Sequence, residues 1–208
     1  MLGSFPPPRA RWSMEFFYPN LQNDMWRIMG LLFFGRRDHF VDGRRFDRAQ
    51  IEQFCRSRTI ALSDTAEAVI RHGGNASDNL LEVVRPLDLA TLLEQIPLCR
   101  TIITTGQKAT DTLTAIIDAA QGAPASVGRT GGSAVPAEKA TRQTDSATVD
   151  LQPLGRFLPP PVGGSATFDF AGRRMTLWRM PSSSRAYPLP LERKAEAYRQ
   201  MFVSVGVL

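Results

Sequence analysis

One stretch near the start concentrates side chains that neither a core helix nor a solvated tail needs. Residues 6–28 read PPPRARWSMEFFYPNLQNDMWRI. They hold five rings (Trp12, Phe16, Phe17, Tyr18, Trp26), the amides Asn20, Gln22 and Asn23, and three arginines, of which Arg9 and Arg11 lie among the first rings. Rings offer flat faces on which a planar ligand stacks. Amides donate and accept, so they read a polar edge or hold a water, but at neutral pH they cannot take its proton. Arginine forks match phosphate oxygens. Pro6, Pro7 and Pro8 keep the start of the segment out of a helix. The combination predicts the wall of a cleft.

Elements must position that wall. Residues 23–34 have the apolar pattern of a largely buried helix, with Asn23 or Asn20 placed to cap it. Further helices are predicted over 44–58, 65–73 (closed by Gly73), 88–96 (opened by Asp88), 107–120 and 191–205, the last amphipathic. Residues 59–64 and 100–106 read as buried strands, and 166–180 as a hairpin turning at Ala171-Gly172. Strands alternating with helices imply an α/β protein with a mostly parallel sheet. Four strand ends run into small or polar loops: LGS-FPPP, IALS-DT, IITTG-QK and LWRM-PSSSR. In a parallel sheet they fall on one edge, the edge where open α/β folds bind ligands. Only Met1 and Leu2 precede Gly3. The first strand is therefore either stunted or continued by residues upstream of this sequence.

The chain has 208 residues, 43% hydrophobic and 22% charged, which suits one domain. Residues 121–165, rich in Gly, Ala, Ser, Thr and Pro, read as an insertion. The net charge of +5 rests almost wholly on arginine and favours an anionic partner. Two cysteines, Cys55 and Cys99, read as buried free thiols, too few for a zinc or iron–sulfur site, and two histidines are too few for a His-rich metal site. No apolar run is long enough to span a membrane and no leader opens the chain, so a cytoplasmic protein is expected.

The motifs LGSFPPP…FFYPNLQNDMW, TTGQKA and MPSSSRAYPLPLERKAEAY together resemble the uracil-DNA glycosylase superfamily. The likeness is closest to its hypoxanthine-DNA and mismatch-specific uracil branches, and it covers nearly the whole chain outside 121–165. It implies a three-layer α/β/α sandwich around a mostly parallel sheet of four or five strands. It also implies hydrolysis of the N-glycosidic bond of a deaminated base, uracil or hypoxanthine, flipped out of DNA. The expected protein is a monomer needing no cofactor, metal or iron–sulfur cluster, with double- or single-stranded DNA as its partner. By the same resemblance Asn23 positions the attacking water and Tyr18 stacks on the base. Phe5, with the backbone of Gly3 and Ser4, lines the base pocket. The loop Pro181, Ser182, Ser183, Ser184 and Arg185 presses on the lesion strand, with Tyr187 as a wedge. Asp64 either steadies the sugar cation or caps the next helix. Lys108, at a strand-to-helix turn, is placed for phosphate. Two positions depart from the pattern: Phe5 stands where mismatch-specific relatives carry Asn, and Met180 where relatives often carry His or Asn. They keep open a DNA-binding homologue that does not cleave. A nucleoside hydrolase is the other competing reading.

Overall fold

The computed structural model describes residues 1–72, 78–122 and 156–208. In chain order the elements are β1 (Leu2–Gly3), α1 (Met25–Phe34), β2 (Val41–Asp42), β3 (Arg45–Phe46), α2 (Arg48–Ser57), β4 (Ser63–Asp64) and β5 (Ala66–Arg71). They continue with β6 (Leu81–Pro86), α3 (Leu89–Gln95), β7 (Thr101–Thr105), α4 (Gln107–Ala120), β8 (Ser165–Phe170), β9 (Arg173–Met180) and α5 (Leu191–Ser204). The five-stranded sheet has the order β4-β1-β7-β9-β8. Its pairings are parallel except for the β8–β9 hairpin at one edge.

Strand alternation sorts side chains to two cores. Ile103 and Met180 point to the face covered by α1, α2 and α5, where Trp26, Ile28, Phe54, Tyr198 and Phe202 are buried. Ile102, Met175 and Leu177 point to the other face, against Leu89 and Leu93 of α3 and Leu113 and Ile117 of α4. The result is the three-layer α/β/α sandwich. β1 is only two residues long yet pairs on both sides, Leu2 with Ser63 and with Thr104. Among the described residues no helix is long and apolar enough to cross a membrane.

Several sequence expectations need correction. Residues 66–71 are not helical; they form β5, antiparallel to β6. Ala66, Val69 and Ile70 fit a helical stripe as well as a strand, and the deciding ladder partner lies beyond the chain reversal, where local periodicity cannot see it. Gly73, read as the stop of that helix, lies outside the described residues. The expected strand at 59–64 shrinks to Ser63–Asp64. Thr59 sits at φ +52, which no strand tolerates. The helix predicted over 44–58 starts at Arg48, capped by Asp47 accepting from Gln50 N; Arg45–Phe46 before it pair with β2 instead. Cys55 is buried, but Cys99 is only half-buried. Residues 123–155, most of the expected insertion, are also outside the described set.

Candidate functional site

The parallel strands β1, β4, β7 and β9 all end at one edge, and the loops that follow them surround a cleft of about 1060 Å³. Gly3, Ser4, Phe5, Tyr18, Asn23, Asp64, Lys108, Ser182, Ser183, Ser184 and Arg185 all line it. Of the residues singled out in the sequence, Pro181 is not brought there. It is buried at the end of β9, where its carbonyl accepts from the Tyr198 hydroxyl at 3.0 Å. Phe16 lines the cleft as well as packing on the core, whereas Trp26 is wholly core. Exposed Tyr187 stands at the rim.

The two halves of the cleft are 160 residues apart in the chain and are tied together locally. Asp24 N donates to Ser183 O at 2.8 Å, and Asn23 bridges to Ser184. The buried Asp24 carboxylate accepts from Arg185 Nε at 2.9 Å and from Lys194 Nζ at 3.0 Å. Lys194, itself buried, also donates to Ser184 O at 2.8 Å. Arg185 therefore has its Nε occupied, while its side chain stays 45% exposed. Within the turn, Ser182 Oγ accepts from Ser184 N and Ser184 Oγ from Ala186 N.

Asn23 does not take the N-cap position, which falls to Asp24. Its Oδ1 accepts from Met25 N at 2.9 Å, so it still supports the first turn of α1. That bond identifies the oxygen end of the amide and leaves the NH2 group, without a protein partner among the described residues, as a donor for the cleft. Tyr18 holds a left-handed backbone at φ +51, costly for a residue with a Cβ. Its hydroxyl bonds Thr105 Oγ1 at 3.0 Å, and its ring meets Trp26 edge-on. Burial raises its phenol well above the ordinary value.

Asp64 is the most perturbed acid of the cleft. No hydrogen bond reaches its carboxylate from any described residue. Desolvation, then the charge of Asp78, pushes its pKa from 3.8 up to about 6. Its Oδ1 lies 2.6 Å from where a Cβ on Gly3 would stand, so only glycine lets the carboxylate cross the end of β1. Asp64 does not cap a helix, because β5 follows it.

Asp78 was not legible in the sequence. It precedes β6, and both its carboxylate oxygens accept from Ser4 Oγ at 3.0 Å. Burial raises its pKa against the lowering effects of Ser4, Arg71 and Lys108. An acid in the polar run before a β-rich LEVVRP segment is the signal that a hairpin reading of 66–86 would have picked out. Gly106 is needed for geometry: at φ +105 a Cβ there would meet Ser182 Cβ at 3.2 Å. Gln107, the first residue of α4, is held between Arg179 and Asp111.

Chemically, the cleft offers the unpartnered Asp64 carboxylate with its pKa raised to about 6, the Asn23 amide donor, apolar rings and hydroxyl- and cation-bearing rims. Among the described residues no group of three or more His, Cys, Asp or Glu could hold a metal ion. Fold and cleft together define an α/β protein with a cleft at the carboxyl edge of its sheet, the edge at which open α/β folds bind ligands. No protein-family model matches the chain, and neither a curated protein nor a solved structure matches it.

Proposed function

We propose that the protein is a monofunctional DNA glycosylase that hydrolyses the N-glycosidic bond of a deaminated base, uracil or hypoxanthine, extruded from DNA. The observation that carries this reading is the meeting of Tyr18, Asn23 and Asp64 with the Ser182–Arg185 turn across one cleft. In the proposed reaction the extruded base enters between the rings of Phe5 and Tyr18. The C1′–N bond breaks with its electron pair going to the base, whose charge the Asn23 NH2 group meets at a carbonyl oxygen or through a water. The ionised Asp64 carboxylate steadies the sugar cation and takes a proton from the water that adds to C1′. A cation this reactive needs only a weakly activated water, which suits an amide and a single carboxylate. The rim of serines and Arg185 grips the strand phosphates.

The test is a panel of end-labelled duplexes carrying uracil, hypoxanthine or xanthine, incubated with protein and then treated with alkali to break abasic sites. Wild-type protein should give breaks at one or more lesions. Asn23→Ala should slow the single-turnover rate by roughly 100-fold, the usual scale for losing a positioned polar group. Absence of breaks on every lesion by wild-type protein that still binds DNA would overturn the catalytic reading in favour of a non-cleaving binder.

A further inference from the structure

The cleft opens sideways into a second hollow of about 1070 Å³, and the two share Arg11, Trp12, Glu15, Asn20 and Gln22. One side of its wall comes from residues 9–22; the other comes from Arg48 of α2 and from the β2–β3 hairpin, which turns at Gly43 (φ +55) and presents Arg44 and Arg45. Five exposed arginines, at 9, 11, 44, 45 and 48, line the hollow against one carboxylate, Glu15. Two of them are already paired, Arg9 with Glu15 at 2.7 Å and Arg48 with Glu52 at 2.5 Å. Arg11, Arg44 and Arg45 make no ion pair among the described residues. Asp42 faces Arg45 across the hairpin register but stays outside both the hollow and ion-pair distance.

Three unpaired guanidinium groups converging on one concavity repel one another, and an anion relieves that repulsion. They come from two separate elements, the turn at Arg9–Arg11 and the hairpin. A chain of phosphates offers anionic oxygens to both elements at once. Arginine forks suit phosphate oxygens in particular. The continuity with the cleft sets the path: a strand whose base enters the cleft has its backbone lying over Arg11.

We infer that this hollow holds the phosphate backbone of duplex DNA flanking the extruded base, with Arg11, Arg44 and Arg45 as its contacts. The choice of DNA rests on the proposed excision activity, while the polyanion rests on the arginines alone. The contacts are blind to sequence and act by releasing counterions.

The test is fluorescence anisotropy with a duplex carrying a stable abasic-site analogue, over salt from about 50 to about 200 mM. Arg44→Ala/Arg45→Ala should flatten the slope of log K against log salt by roughly 1.8 and weaken binding at about 0.1 M salt at least ten-fold. Arg44→Lys/Arg45→Lys, which keeps the charge, should retain most of the slope and guards against a folding artefact. Arg100→Ala/Arg174→Ala, of equal charge change at the opposite sheet edge, should leave the slope near wild type. An unchanged slope in the first variant, or an equal loss in the control pair, overturns the inference. Lesion excision by wild-type protein, read in parallel, separates the two ideas. Excision with an unaltered slope sinks the hollow alone. Slope loss without excision of any base sinks the glycosylase reading alone. No DNA binding by wild-type protein sinks both.

Discussion

At the scale of single residues, the site turns on a carboxylate kept poor in partners. Desolvation and the Asp78 charge lift Asp64 to about 6, so folding penalises its ionised form. That acid therefore costs the fold nothing below its unfolded pKa of 3.8. The penalty grows as pH rises to about 6 and persists above it. Asp64→Asn should accordingly raise Tm by a few degrees at pH 8 and change it little at pH 4, while abolishing excision. A Tm lowered at both pH values would mean that Asp64 is a structural anchor. The wild-type single-turnover rate should fall as pH drops through about 6. Asp78→Asn, which removes the neighbouring charge, should move that acid limb to lower pH. An unmoved limb would show that the two carboxylates do not interact. Gly3 belongs to the same arrangement, because any side chain there meets Asp64 Oδ1.

At the scale of elements, the decisive joint is where the first turn of α1 meets the serine turn after β9. Asp24, Lys194 and Arg185 hold it, and Lys194 and Asp24 are both buried. Lys194→Met would leave Asp24 still paired with Arg185, whereas Asp24→Asn leaves the buried Lys194 ammonium without a carboxylate, at a cost of roughly 3–5 kcal/mol. Asp24→Asn should therefore lower Tm by about 10 °C in circular-dichroism melts. The double variant Asp24→Asn/Lys194→Met should recover most of that loss, since the buried ammonium is then gone. No recovery would assign the loss to the other contacts of Asp24 at the start of α1. The sequence showed α1, α3, α4 and α5 because their apolar stripes and caps are local. It hid the β5–β6 and β2–β3 hairpins, because a two-residue strand or an ambiguous apolar stripe acquires its identity only from its partner across the ladder.

At the scale of the whole molecule, charge and cleft act together. A net charge of +5 and an arginine-lined approach predict excision from duplex DNA that falls steeply as salt rises from about 50 to about 200 mM. Free inosine, which cannot engage that approach, should be hydrolysed negligibly when followed by chromatography. Rapid, salt-insensitive turnover of inosine would instead identify a nucleoside hydrolase. The α/β class, the parallel sheet and the gathering of four strand ends on one edge were legible in the residues alone, since strand and helix periods and the placement of small or polar residues after strands are local properties. So was the pairing of the ring-and-amide segment with the PSSSR turn, because both follow strands of that edge. The tertiary structure alone decided which polar atoms stay unpartnered. It engaged the oxygen of Asn23 and left its NH2 group, occupied Arg185 through Asp24, and brought Asp78 beside Asp64 from a hairpin whose first strand reads as a helix. Hydrogen-bond partners and desolvation depend on neighbours distant in the chain, and no local pattern of residue types records them.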